Sequence, residues 1–66
     1  MKQHEQRVVD EKKELDEKIA ALDAFLEGPV FPTLPNQDQD LLIDQVSTMD
    51  DYSDILARRI QRFETV

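Results

Sequence analysis

Two apolar ladders with a seven-residue repeat face each other across one Pro-rich loop. Val8, Leu15 and Leu22 recur every seven residues, with Ile19 and Leu26 four residues after the last two. In the second half Leu42, Met49, Leu56 and Phe63 recur every seven, with Val46 and Ile60 interleaved. Alternating steps of three and four line one face of an α-helix. Folded back antiparallel, the ladders match: Leu26 meets Leu42, Leu22 meets Val46, Ile19 meets Met49 and Val8 meets Ile60. The predicted fold is therefore all-α, an antiparallel helical hairpin of two long helices forming one domain over residues 1–66.

The boundaries follow from local chemistry. Residues from about 3 to 27 contain no Gly or Pro and are rich in Glu, Lys, Leu and Ala, all strong helix formers. Gly28 followed by Pro29 stops that helix, with Gly28 expected in the left-handed conformation that ends many helices. The loop, residues 28–34, holds Val30, Phe31 and Leu34, three apolar side chains expected to fold over the end of the helix pair. Pro35 suits the first turn of the second helix, about 35–63, because its missing N–H costs nothing there. Asp38 and Asp40 then lie near the positive end of the helix dipole.

Sixty-six residues are marginal for a monomer and usually require disulfides, metal or self-association. The chain has no Cys and a single His, His4, so disulfides and a zinc site are not expected, and no cofactor is implied. Apolar residues lie outside the ladders: Val9, Phe25, Leu41, Ile43 and Ile55, together with Val30 and Phe31 of the loop. One hairpin cannot hide them all, and such a surplus marks an association surface. Two hairpins packed into a homo-oligomeric helical bundle with C2 symmetry is the simplest closed solution.

The formal net charge of −7 argues against direct nucleic-acid binding, which needs a basic surface, and against anionic membranes. No apolar run approaches the ~20 residues of a transmembrane helix. The opening residues, Met1 to Gln6, lack the apolar core of a secretory signal. A cytoplasmic location is the expectation.

Two positions interrupt the seam. Lys12 occupies the rung opposite Leu56, where its stem can pack while the ammonium reaches solvent. Ser53, opposite Leu15, allows close packing or bonds to its own helix backbone. Beside the seam, Glu11, Lys18 and Phe25 match Arg59, Tyr52 and Gln45 of the second helix. The plain reading is a salt bridge, a cation–π contact and an amide over a ring. The alternative is the wall of a polar pocket.

Catalysis finds little support. The chain has no Gly-rich phosphate loop, no Cys nucleophile and no His placed to activate Ser47 or Ser53. The run from Asp38 to Asp44 loosely resembles a calcium loop, but it lacks the central Gly and the closing Glu. Arg58, Arg59 and Arg62 form the one basic cluster, near the end of the second helix. They can complement the negative helix terminus or grip a phosphate or carboxylate in their forked guanidinium groups.

The chain also resembles a family of short, mostly uncharacterised proteins of tailed phages and prophages, one of which is named after a crAss-like phage. The likeness lies in Arg7 to Lys12, Glu14 to Ile19, Leu22 and Phe25-Leu26, then Phe31 and Leu34. It continues with Leu41-Leu42, Gln45, Met49, Tyr52-Ser53, Leu56 and Arg59-Ile60. The resemblance implies a non-enzymatic accessory protein that acts in the host-cell cytoplasm and counters host defence. One route is a sponge that holds a nucleotide-type immune signal in pockets between subunits, with Lys18, Tyr52, Arg58, Arg59 and Arg62 as candidate ligands for it. Another is an acidic blocker of a host defence protein, presenting Asp16, Asp23, Asp44, Asp50, Asp51 and Asp54. A structural or regulatory helical oligomer is the third.

Overall fold

The structure is a computed structural model and describes residues 2–63. Helix α1 spans Gln3–Glu27, a single 3₁₀ turn spans Phe31–Thr33, and helix α2 spans Asn36–Phe63. The two helices lie side by side in a hairpin of 48 × 15 × 14 Å. Helix α2 accounts for most of the long dimension, since 28 residues at about 1.5 Å each make a rod of roughly 42 Å. The two-helix architecture and both predicted helix spans hold to within one residue.

Each helix end has a local cause. At the start of α1 the Glu5 carboxylate accepts the backbone N–H of Lys2 at 2.9 Å, satisfying one of the orphan donors of the first turn. At its end Gly28 donates its N–H to the Phe25 carbonyl at 3.1 Å. The expected left-handed Gly28 is not formed: its φ of −84° and ψ of 178° are extended. Pro29 is the reason, because a proline ring clashes with a helical residue before it and pushes that residue to extended backbone. The stop therefore belongs to proline rather than to glycine's freedom. Pro35 sits one position outside α2, its carbonyl accepting the Gln39 N–H at 3.0 Å.

The loop is tied down by polar groups. Thr33 donates its backbone N–H and its hydroxyl to the Val30 carbonyl, at 2.9 and 2.5 Å. Gln39, reaching back from the first turns of α2, donates its amide to the Leu34 carbonyl at 2.9 Å. Phe31 and Leu34 are half-buried, as expected of residues covering the end of the helix pair, whereas Val30 points outward and is exposed.

The core is one seam. Val8, Leu15 and Leu56 are buried, and Ile19, Met49, Ile60 and Phe63 pack against them. Leu56 alone is fully enclosed, at 0% exposure. Lys12 behaves as expected: half-buried, with its Nζ donating outward to Asp16 Oδ2 at 2.6 Å. Ser53 does not turn back on its own helix. Its hydroxyl crosses the hairpin and donates to Asp16 Oδ1 at 2.5 Å. This bond fixes the antiparallel register, since Asp16 directly follows Leu15, the rung predicted to face Ser53.

Candidate functional site

The hairpin has two unlike flanks, separated by the seam. Residues one position after the rungs share one side: Asp16, Ala20 and Asp23 of α1 line a groove with Asp50, Asp54 and Ala57 of α2. This flank is acidic. By helix geometry the residues one position before the rungs occupy the other side. There Leu41, Tyr52 and Ile55 of α2 are all exposed, as is Phe25 of α1. Leu41, at 60%, is the most exposed large apolar side chain among the described residues.

The seven apolar residues expected at an interface thus divide. Phe25, Leu41 and Ile55 lie on the apolar flank. Ile43 is exposed on the acidic flank, and Val9 lines a depression there with Lys13 and Glu17. Val30 and Phe31 belong to the loop. No single flat interface covers all seven.

On the acidic flank Asp16 is the junction of two hydrogen bonds. The bond from Lys12, then that from Ser53, holds its carboxyl below the usual carboxylate range, against a smaller opposing effect of burial. Each bond favours the ionised form. Among the described residues no group of three or more His, Cys, Asp or Glu is placed to hold a metal ion.

The five candidate ligand residues do not converge. Arg58 is paired with Asp54, one turn earlier, at 2.8 Å, on the outer surface of α2. Lys18 stands exposed midway along α1. Tyr52 lies seven residues before Arg59, about 10 Å along the helix. Neither the Glu11–Arg59 salt bridge nor the Lys18–Tyr52 ring contact is formed among the described residues. Gln45 turns its amide toward Met49 Sδ within α2 rather than over Phe25.

Arg59 and Arg62 do meet. They line a shallow cleft of about 320 Å³ at the end of the hairpin opposite the loop, together with Lys2, His4, Glu5 and Phe63. Sequence reasoning missed Lys2 and His4 here. The antiparallel register could have found them, since it carries the start of α1 to the end of α2. The result is a cation-rich patch on a chain of net charge −7, with an aromatic ring in its wall. Such a patch can receive a small anion, because at physiological salt distant acidic residues are screened beyond roughly 8 Å.

The comparisons with known proteins extend over nearly the whole hairpin. The family model Sequestin matches residues 2–62, which takes in both helices and the loop. The chain is also 38% identical over 61 residues to the "uncharacterized 7.5 kDa protein in denB-rIIB intergenic region" of Enterobacteria phage T4, covering 92% of this chain and 95% of that protein. No solved structure matches. The phage character of the resemblance is supported, although neither name carries the crAss-like label. On a match that runs from one end of the hairpin to the other, this chain belongs to the Sequestin family.

Proposed function

We propose that this protein is a non-enzymatic phage accessory protein that sequesters a small anionic signal of the nucleotide type, as an oligomer, in the cytoplasm of the host. The family name points to sequestration, and the observation that carries the ligand class is the cleft of Lys2, His4, Glu5, Arg59, Arg62 and Phe63, in which Lys2 and the two arginines outnumber the one carboxylate. Two guanidinium groups can grip phosphate oxygens bidentately, and a ring beside them can receive the flat face of a base. Relative to the sequence reading, Phe63 replaces Tyr52 as the aromatic surface, and Arg58 and Lys18 leave the site. One hairpin supplies one wall of such a pocket, so the reading calls for a second subunit. None of the described residues supplies an activated nucleophile, so a bound ligand is expected to be recovered intact.

Calorimetry against cyclic nucleotides and ADP-ribose derivatives tests this. Wild type should bind at least one of them, and Arg59→Ala should abolish binding while helicity stays unchanged. Failure of wild type to bind any of the panel would remove the reading. The acidic groove of Asp16, Asp23, Asp50 and Asp54 favours a second reading, a blocker that occupies a basic surface on a host defence protein.

A further inference from the structure

We infer that the exposed stripe of α2 docks on the same stripe of a second copy, antiparallel, about a two-fold axis at Thr48. This rests on the shape and charge of the hairpin and does not depend on the ligand.

The first observation is surface. A folded monomer of 7.7 kDa is expected to expose about 4300 Å², whereas this hairpin exposes 5199 Å². The surplus, about 900 Å², is close to the ~800 Å² that each partner contributes to a stable interface. The second is where the surplus apolar surface lies. Leu41, Tyr52 and Ile55 form a stripe along one flank of α2, and Phe25 continues it onto α1.

The third observation is symmetry. Leu41 and Ile55 each stand seven residues from Thr48, which is itself exposed on this stripe. A two-fold axis at Thr48 therefore brings Leu41 onto the partner's Ile55, and Ile55 onto the partner's Leu41. An interface between identical copies must be self-complementary in this way.

The fourth is charge. The first half of α2 carries Asp38, Asp40 and Asp44, and its last turns carry Arg58, Arg59 and Arg62. Parallel docking would stack arginines on arginines. The antiparallel arrangement instead carries Arg59 and Arg62 to the start of the partner helix, beside the partner's Asp38. The open side of the Arg59–Arg62 cleft then faces the partner's loop, which supplies the wall that a single hairpin lacks.

The native chain has no Cys, so single-cysteine variants report the geometry directly. Thr48 and Ser47 are adjacent and both exposed, but Ser47 faces the acidic flank. Under mild oxidation Thr48→Cys should form a covalent dimer, because two α-carbons facing each other on the axis come within disulfide reach. Ser47→Cys should stay unlinked. Leu41→Lys should weaken dimerisation at least tenfold by sedimentation, with helicity at high concentration retained. A monomeric wild type, equal or stronger linking through Ser47→Cys, or unchanged sedimentation of Leu41→Lys would each overturn the proposal.

Discussion

Leu56→Ala tests the single-seam core most directly. Leu56 is fully enclosed, and the rest of the seam packs around it. Truncation to Ala removes three carbons, about 2.4 kcal/mol of transfer free energy at roughly 0.8 kcal/mol each. Any cavity that stays open adds to this, and buried Leu→Ala changes span about 2–5 kcal/mol. A two-helix seam can close on a void from two sides only, so the helices can move together and the loss should be about 2.5–3.5 kcal/mol. A core in a chain of this size rarely supplies more than about 3–5 kcal/mol, so the variant should be near its unfolding midpoint in plain buffer. The assay is urea denaturation followed by far-UV circular dichroism, at one fixed protein concentration because self-association would couple to folding. With a slope of about 1 kcal/mol per molar urea for a small protein, the midpoint should fall by about 2.5–3.5 M, or vanish from the accessible range. Leu22→Ala, on a half-buried rung, should lose clearly less. A Leu56→Ala midpoint within about 1 M of wild type would refute the account of the core.

Lys12→Leu fills the interrupted rung with an apolar side chain and should raise the urea midpoint, by about 1 kcal/mol in stability; a lower midpoint would show that the Lys12–Asp16 bond matters more than the seam. Asp16 has a folded-state pKa below its unfolded one, so its stabilising contribution is present above the ordinary carboxylate value of 3.8 and is lost as pH falls through the lower folded value. The stability gap between wild type and Asp16→Asn should therefore be constant near neutral pH and shrink in acid below pH 3.8, and a gap that widened in acid would contradict the hydrogen-bond geometry. Ser53→Ala removes one of the two donors to Asp16 and should raise the Asp16 pKa toward its usual value, read from the carboxyl carbon shift by NMR titration; an unmoved value would place the whole perturbation on Lys12.

The ladders were enough to read the two helices and the register, because a long heptad pattern on one face leaves few other ways to bury it, and Gly28, Pro29 and Pro35 marked the loop between them. The residues it concealed are those whose partners lie across the hairpin and off the seam. Ser53 was read as local, yet Asp16 stands one position past the facing rung, where only the three-dimensional crossing brings a carboxylate to the hydroxyl. Gln39 carries no sequence sign of its reach to Leu34, since a Gln near a helix start usually faces solvent. Gly28 was misread because the residue after it decides its backbone. The Arg58–Asp54 pair, four residues apart, was legible by helix spacing, and Arg58 does not line the Arg59–Arg62 cleft. The remaining cluster moved with it: Arg59 and Arg62 gained Lys2 and His4 from the other helix and left Tyr52 two turns behind.

The two ends of the hairpin are unequal in one further respect. At one end the chain is continuous and Gln39 ties the turn to α2. At the other, no turn joins α1 to α2, and Val8, Ile60 and Phe63 are the last rungs of the seam among the described residues. Unzipping therefore starts at the end that carries the Arg59–Arg62 cleft and runs toward the loop, and amide exchange should slow progressively in that direction. A ligand bound there would clamp the weakest rungs and raise the cost of the first opening step for the whole rod. Occupancy of the cleft would then be readable far from it, as slower exchange along both helices.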